Sequence, residues 1–285
     1  MSQLRSIANI VKGSETSDGA GVRLRRYIAS PELDMLDPFL LLDAFRSDNP
    51  DDYIAGFPPH PHRGFETVTY LLEGAMRHRD SAGHEGVIRS GGVQWMTAAS
   101  GIEHSEMPEQ VEGLLYGFQL WVNLPASKKM SPPRYQEFEP EQMAIEQRDE
   151  NTRIRVIAGK TSGGVEGMVR QIDSAPLYLD VELKQGAEFT EKVAAGHNAL
   201  IFLVSGELEV LADAPQPLLK AEQMAVLADG DTLKLKALQP SRFLLIAGQP
   251  FNEPVARYGP FVMNTQEEIQ QAFKDYRAGQ FGSIK

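Results

Sequence analysis

The chain has no cysteine among its 285 residues, which excludes disulfides, thiolate metal sites and cysteine nucleophiles. Any tight metal site must therefore use histidine, aspartate and glutamate, a ligand set that suits iron, manganese, nickel, copper or zinc. No apolar run approaches the roughly 18 residues of a membrane span. The N-terminus also lacks the apolar segment and cleavage site of an export signal. We therefore expect a cytoplasmic protein with no membrane partner.

Positive charge is scarce as well. Lys and Arg total 28 against 39 Asp and Glu, so the formal net charge is −11, and the basic residues are scattered. Binding to a phosphate backbone requires a basic face that releases counterions. We expect no direct nucleic-acid partner.

Short apolar runs bounded by Gly, Pro, Asp and Asn dominate the chain, and several alternate near period two. Such runs predict antiparallel strands and an all-β sandwich or barrel, since helical patterns are almost absent before the C-terminus. The runs include 67–72, 114–123, 177–183, 199–204, 224–227 and 242–247.

A weak internal repeat predicts two barrels rather than one. The segment 70–74, an apolar strand that ends in a glycine turn, is echoed by 202–206, and 91–96 is echoed by 228–233. The Pro-, Glu- and Gln-rich stretch 125–148 is interpreted as the connection. We therefore divide the chain into an N-terminal metal-binding barrel, residues 1–130, and a C-terminal metal-free barrel with linker and terminal helix, residues 131–285.

The end of the chain has a helical pattern. Thr265 and Glu268 have the spacing of a capping box, and Gly279 can end the helix. An apolar stripe at helical spacing predicts a helix that packs on a barrel. The stripe consists of Ile269, Ala272, Phe273 and Tyr276.

Two pairs of polar residues are candidate metal ligands. His60 and His62 have the i, i+2 spacing that points both imidazoles to one side of an extended segment, which Pro59 and Pro61 stiffen. A His-x-His pair alone is weak evidence for a metal. The same spacing recurs in the glycine-flanked segment 101–106, which ends in His104-Ser-Glu106.

Three imidazoles and one carboxylate from these pairs would leave two open positions on an octahedral metal, where a substrate, water or dioxygen could bind. A divalent ion would also keep a residual positive charge, which favours an anionic ligand such as a phenolate.

The other histidines and the tryptophans have simpler interpretations. His78 and His84 lie in a polar stretch typical of a hairpin tip, so we expect them to be solvated. His197 has no second histidine near it and is interpreted as a turn residue. Trp95 and Trp121 are expected to lie in the core or in a pocket wall.

Several longer segments resemble the pirin family of the cupin superfamily, and the resemblance covers essentially the whole chain. These segments are 56–74, 94–98, 104–108, 119–124 and 259–265. The resemblance implies two cupin β-barrels (double-stranded β-helix, or jelly roll) packed face to face, with a C-terminal helix and a metal only in the N-terminal barrel.

The resemblance also bears on the fourth ligand. The general cupin motif would make Glu66 a ligand, whereas pirins use the carboxylate two residues after the third histidine, here Glu106. We favour Glu106 and expect Glu66 to orient other groups. The second barrel reads Gly196-His197-Asn where the repeat should carry a His-x-His pair, and one imidazole cannot build a site.

Pirin-like proteins resemble quercetin 2,3-dioxygenases. The resemblance therefore implies an enzyme that cleaves a flavonol with dioxygen at one divalent metal. We expect iron(II) first, with Mn, Ni, Cu, Co or Zn as alternatives. Glu106 is the group expected to take the flavonol proton and so to be catalytic, besides ligating the metal with His60, His62 and His104.

A second interpretation stays open, because animal pirins resemble transcriptional cofactors and some bacterial relatives modulate metabolic enzymes. The protein would then be a metal- or redox-dependent regulator without turnover, and its partner would be another protein. A basic strip near the metal would favour this class. Arg23, Arg25 and Arg26 are candidates, but they could equally face outward from an edge strand.

Overall fold

The computed structural model describes residues 3–284, which form 24 strands, one α-helix and three 3-10 helices. The described chain divides into two compact units. Unit A comprises 14–30, 39–141 and 251–284, and unit B comprises 3–13, 31–38 and 142–250. Each unit thus includes segments from both halves of the chain, and the predicted division at residue 130 stays a prediction.

The strands are numbered in chain order. Their bounds are β1 (Ile7–Val11), β2 (Ser14–Asp18), β3 (Val22–Ile28), β4 (Phe39–Ser47), β5 (Phe57–His62), β6 (Phe65–Glu73), β7 (Ala75–Asp80), β8 (Glu85–Arg89), β9 (Val93–Thr97), β10 (Ile102–Pro108), β11 (Leu115–Asn123), β12 (Arg134–Phe138), β13 (Ala144–Asp149), β14 (Thr152–Ala158), β15 (Leu177–Leu183), β16 (Glu188–Lys192), β17 (Asn198–Ser205), β18 (Glu207–Val210), β19 (Leu219–Lys220), β20 (Gln223–Leu227), β21 (Thr232–Ala237), β22 (Ser241–Gly248), β23 (Ala256–Tyr258) and β24 (Phe261–Met263). The 3-10 helices are Pro50–Asp52, Ala126–Lys128 and Pro140–Gln142.

The two units have the same topology. Unit A has a seven-stranded sheet in the order β12-β9-β6-β11-β4-β3-β2 and a four-stranded sheet in the order β5-β10-β7-β8. Unit B has β1-β20-β17-β22-β15-β14-β13 and β16-β21-β18-β19, which match position by position. The pairings within these four sheets are antiparallel. The two predicted cupin barrels are confirmed.

The strand orders test the predicted repeat. Segments 70–74 and 202–206 end the corresponding strands β6 and β17, each followed by a glycine with positive φ, so this echo is confirmed. Segment 228–233, however, leads into β21, which corresponds to β10 rather than β9. The echo with 91–96 was therefore wrong by one strand, because a glycine turn before an apolar strand recurs throughout this fold.

The stretch 125–148 is more than a connection, because it contains two strands. β12 pairs with β9 at the edge of the large sheet of unit A, and β13 pairs with β14 in unit B. Its charged residues suit edge strands, which natural proteins keep polar to prevent further pairing.

The predicted helix, α1, spans Gln266–Arg277 in unit A. Thr265 accepts a hydrogen bond from the Glu268 backbone N–H, and Glu268 accepts from the Thr265 N–H, which confirms the capping box. The predicted apolar stripe packs on β23 and β24, as expected. No helix among the described residues is long and apolar enough to cross a membrane.

Candidate metal centre

Three predicted ligands meet inside unit A. His60 on β5 lies directly opposite His104 on β10, and their ring centroids are 4.4 Å apart. His62 lies 4.7 Å from His60 and 4.9 Å from His104 by the same measure. One nitrogen from each ring lies within 4.8 Å of the others. This spacing lets the three imidazoles converge on one ion.

Backbone carbonyls select the tautomer of two of these rings. The Nδ1 of His60 lies 2.8 Å from the carbonyl oxygen of Pro58, and the Nδ1 of His62 lies 3.3 Å from that of Pro260. A carbonyl can only accept, so each Nδ1 donates its proton and each Nε2 keeps a lone pair for a metal. Both ring nitrogens of His104 are buried without a hydrogen-bond partner.

Burial also keeps two of the histidines in the neutral form that binds a cation. Burial lowers the pKa of His62 and of His104 well below the usual range, with neighbouring imidazoles as a further cause. Both rings are therefore neutral near pH 7, which is the form that ligates metals. An unpaired buried imidazole costs folding free energy, and a nitrogen-rich cluster suits a divalent first-row ion. The residues fit such a metal.

Glu106 is held beside the three-histidine group rather than within it. The side chain is 2 % exposed, and the Gln119 amide donates to its Oε2 over 2.6 Å. The Thr69 hydroxyl forms a short hydrogen bond with its Oε1 and lies 3.1 Å from the Gln119 Oε1. Because Thr69 has one proton and two acceptors, it can turn to Gln119 if Glu106 moves towards a metal.

Glu66, the rival ligand, faces another set of partners. It lies on β6, is 1 % exposed, and accepts a hydrogen bond from the Thr97 hydroxyl over 2.7 Å. Glu106 lines a cavity together with His60 and His62, whereas Glu66 and His104 do not. The geometry supports the preference for Glu106, which stays a prediction.

The cavity beside the histidines has a volume of about 590 Å³, within the range of small-molecule sites. Much of its wall is apolar. Polar groups lie beside the histidines and around Arg26 and Asp43. Trp121 lines it, as expected of a pocket wall, while Trp95 is buried in the core. The lining includes Leu24, Leu41, Phe45, Phe57, Pro59 and Trp121, together with the polar residues Arg26, Asp43, His60, His62, Glu106, Gln119 and Arg257.

The prediction that His78 is solvated was wrong. His78 is 1 % exposed, its ring stacks on Tyr135, and its Nε2 lies 3.2 Å from Asp80. His84, in the turn after β7, is largely exposed and lies 2.9 Å from the same carboxylate. Inner and outer residues alternate along β7, and its Met-x-His-x-Asp pattern was the signal that could have placed His78 inside.

Sequence reasoning also missed the polar side chains of the large sheet that face the cavity. Asp43 stands in an apolar run of β4 and is 3 % exposed, and Arg26 donates two hydrogen bonds to it, of 2.8 and 2.7 Å. Burial raises the pKa of Asp43 to about 6, and Arg26 opposes this shift. A lone charged residue in an apolar strand is the signal that could have identified it.

Unit B carries different residues at the corresponding positions. In β16 and β21, Leu233 lies opposite Glu191, as His104 lies opposite His60 in unit A, when the units are matched by the glycines that follow β6 and β17. Glu191 thus takes the His60 position, where Arg148 donates to it over 2.7 Å, while Leu235 takes the Glu106 position. His197 lies in the turn before β17. The strand that corresponds to the His60/His62 strand is β16, so the predicted equivalent of the His-x-His pair lay one element too late. That unit B holds no metal stays a prediction, which this apolar interior supports.

Comparisons with known proteins identify the family. Residues 21–122 match the model described as Pirin, and residues 178–282 match the Pirin C-terminal cupin domain. A pirin-like protein of Caulobacter vibrioides is 50% identical over 278 residues, which cover 98% of this chain and 99% of that protein.

Two further relatives have names that bear on activity. A Pseudomonas aeruginosa protein, provisionally named quercetin 2,3-dioxygenase, is 48% identical over 98% of this chain and 99% of its own length. The crystal structure of a quercetin 2,3-dioxygenase from Acinetobacter baumannii has a TM-score of 0.88 at 35% identity, covering 99% of this chain and all of that one. Family models, identity and fold agree along the chain, which belongs to the pirin family.

Proposed function

We propose that this protein is a metal-dependent dioxygenase of the quercetin 2,3-dioxygenase type, which cleaves a flavonol with dioxygen. One divalent ion would be held by His60, His62, His104 and Glu106, with iron(II) as the first expectation. The observation that carries the proposal is the fully buried His104, whose ring nitrogens have no partner in a three-histidine cluster beside an open cavity. The names of similar proteins point to the same activity.

The side chains of the cavity have complementary roles in this reaction. A bound metal supplies Lewis acidity and redox chemistry for a hydroxylated substrate and dioxygen. Glu106 accepts the proton of the substrate hydroxyl, and the donors on Gln119 and Thr69 orient its carboxylate. Trp121, at the cavity wall, packs against the aromatic rings of the substrate and excludes water.

Turnover is tested by reconstituting the purified protein with iron(II) without oxygen, then adding quercetin and air. We expect quercetin loss, oxygen uptake and carbon monoxide release in equal amounts. Parallel samples with Mn, Co, Ni, Cu and Zn compare the candidate metals, since the ligand set accepts several divalent ions. Full occupancy without turnover for every first-row metal would reject the enzyme proposal.

The ligand assignment has its own test. His62→Ala and Glu106→Ala should each lower the metal content measured by mass spectrometry. His84→Ala is the matched control, because His84 lies outside the three-histidine group and is largely exposed. Unchanged metal content in both ligand variants shows that the assignment is wrong.

A basic strip near the metal would favour the regulatory alternative, and the arginines considered for it are all paired. Arg23 lies 3.3 Å from Asp52, Arg25 lies 2.9 Å from Glu15, and Arg26 is bound by two aspartates. They lie on β3, which is not an edge strand. This pairing gives the regulatory alternative no specific support, so the dioxygenase is the function that the site favours.

A further inference from the structure

A row of polar side chains crosses the inner face of the large sheet in unit A. Arg26, Asp43, Gln119 and Thr69 lie in register on the neighbouring strands β3, β4, β11 and β6. Gln119 and Thr69 have an evident task, because both hydrogen-bond to Glu106. Arg26 and Asp43 face the same cavity but do not touch the candidate ligands.

Unit B shows that the fold does not require polar residues in this row. The same register in β14, β15, β22 and β17 brings together four apolar residues of the core. These positions are matched to those of unit A by their distance in sequence from the glycine that follows β6 and β17. Those residues are Val156, Leu179, Leu245 and Ile201. An apolar pair of matching volume is often as stable as a buried ion pair. Stability alone therefore does not explain Arg26 and Asp43.

The geometry of Asp43 suits recognition of a hydrogen-bond donor. Each of its oxygens accepts from Arg26, and each has a further lone pair. With strands about 4.8 Å apart, Asp43 lies one strand from Gln119, which also lines the cavity and donates to Glu106. The cavity volume of about 590 Å³ is within the range of sites for small molecules, and a buried carboxylate binds a hydroxyl group more strongly than a neutral acceptor does.

We propose that Arg26 and Asp43 form a second subsite of the cavity, which binds a hydroxyl group at the end of an aromatic substrate away from the histidines. The substrate hydroxyl group donates a hydrogen bond to Asp43, and Arg26 holds the Asp43 carboxylate in place. This inference rests on the proposed function and narrows its substrates to polyphenols with hydroxyl groups at both ends. Flavonols without a distal hydroxyl would bind weakly.

The test compares the affinities of two flavonols by calorimetry. Quercetin carries distal hydroxyl groups, and 3-hydroxyflavone shares only its hydroxyl-ketone end. Zinc-loaded protein is used, because zinc has no redox chemistry and binding is then measured without turnover. The variants are Arg26→Val combined with Asp43→Leu, which copies the apolar pair of unit B, and Asp43→Asn, which changes a single group. Arg25→Ala, in an exposed ion pair on the same strand, is the matched control.

For the wild type and the control we expect quercetin to bind at least about tenfold more tightly than 3-hydroxyflavone. In both subsite variants the ratio should fall to near one, with unchanged affinity for 3-hydroxyflavone, which also shows that the cavity is intact. A ratio near one in the wild type, or a preserved ratio in the variants, overturns the subsite and leaves the dioxygenase proposal standing. Failure of both flavonols to bind the wild type overturns both proposals.

Discussion

At the scale of single residues, the proposed function gives the carboxylate of Glu106 two tasks that compete for the same oxygens. It can ligate a metal, and it can accept a proton from a substrate. Gln119 and Thr69 bear on that choice, because each donates to one of its oxygens and Thr69 can instead donate to Gln119. Partners of this kind orient ligands without touching the metal.

Replacing Gln119 should therefore disturb the site although Gln119 is not a proposed ligand. For Gln119→Leu we expect a loss of metal affinity or of kcat/KM of about 10- to 100-fold. The visible spectrum of the cobalt(II) form should change as well, because Glu106 loses a donor. Thr69→Val should act similarly, while Thr69→Ser keeps the hydroxyl and should remain close to the wild type. Wild-type affinity, activity and spectrum in Gln119→Leu would show that the hydrogen bonds do not position Glu106.

At the scale of elements, the turn between β5 and β6 connects the His60/His62 strand to the large sheet and packs on β24. Gly64 in this turn has φ +89°, and a Cβ added there would lie 1.9 Å from the carbonyl oxygen of Val262. The backbone of β24 cannot move away without disturbing its pairing with β23. This close approach explains why the turn carries a glycine.

We expect Gly64→Ala to lower the free energy of unfolding by about 2–4 kcal/mol, as measured by urea denaturation. Gly83→Ala is the matched control, because Gly83 has a similar φ of +93° but no atom within 4 Å of the added Cβ. The control should lose only about 1–2 kcal/mol. Equal losses in the two variants would contradict the steric explanation.

A buried lysine ties the same turn to β24. The ammonium of Lys129 donates to the carbonyl oxygens of Gly64 and Val262 and to the Asn123 side chain, over 2.6, 3.1 and 2.6 Å. Burial lowers the pKa of Lys129 from its usual 10.5 to about 8, while Glu253 and Glu268 oppose the shift. Between pH 8 and 10.5 the unfolded chain therefore binds more protons at this position than the folded chain.

Linkage then predicts that this residue's contribution to stability rises with pH in that window. We expect the difference in unfolding free energy between the wild type and Lys129→Met to increase by about 2 kcal/mol from pH 8 to pH 10.5. Urea denaturation of both proteins at several pH values measures it, and Lys128→Met is the exposed control. A difference that is constant or falls with pH would contradict the lowered pKa.

At the scale of the whole molecule, the same topology is used for two purposes. The interior of unit A contains imidazoles, carboxylates and amides, whereas unit B has apolar residues at most of the corresponding positions, apart from Glu191, which is paired with Arg148. Apolar packing stabilises a barrel, while buried polar groups need partners. Both ring nitrogens of His104 lack a hydrogen-bond partner, and in the proposed function a metal would bind there.

Metal binding should therefore stabilise the folded protein. At a free metal concentration of about 100 Kd we expect about 2.7 kcal/mol, and a rise in Tm of roughly 5 °C, relative to protein with a chelator. His104→Ala should abolish the rise, and His197→Ala, in unit B, should retain it. Scanning calorimetry measures the three proteins, and a full rise in His104→Ala would place the metal elsewhere.

Local patterns were enough to predict most of the fold and the histidine cluster. Alternation along strands, the capping box at Thr265 and the i, i+2 pairs His60/His62 and His104/Glu106 all depend on neighbours within a few residues. The local alternation along β7 could have placed His78 inside, but its stacking partner Tyr135 lies far along the chain and no local pattern indicates it. The partners of Glu106 were missed for the same reason, because Thr69 and Gln119 reach it from other strands.

The amino-acid sequence by itself determined the class of fold, the lack of thiol chemistry and the three imidazoles that can chelate one ion, because composition and periodicity are local properties. Only the tertiary structure decided which strands lie side by side. It thereby decided that Glu106 is held by Thr69 and Gln119, and that Arg26 and Asp43 face the same cavity. Strand register brings together residues that are distant in sequence, and no local pattern records that register.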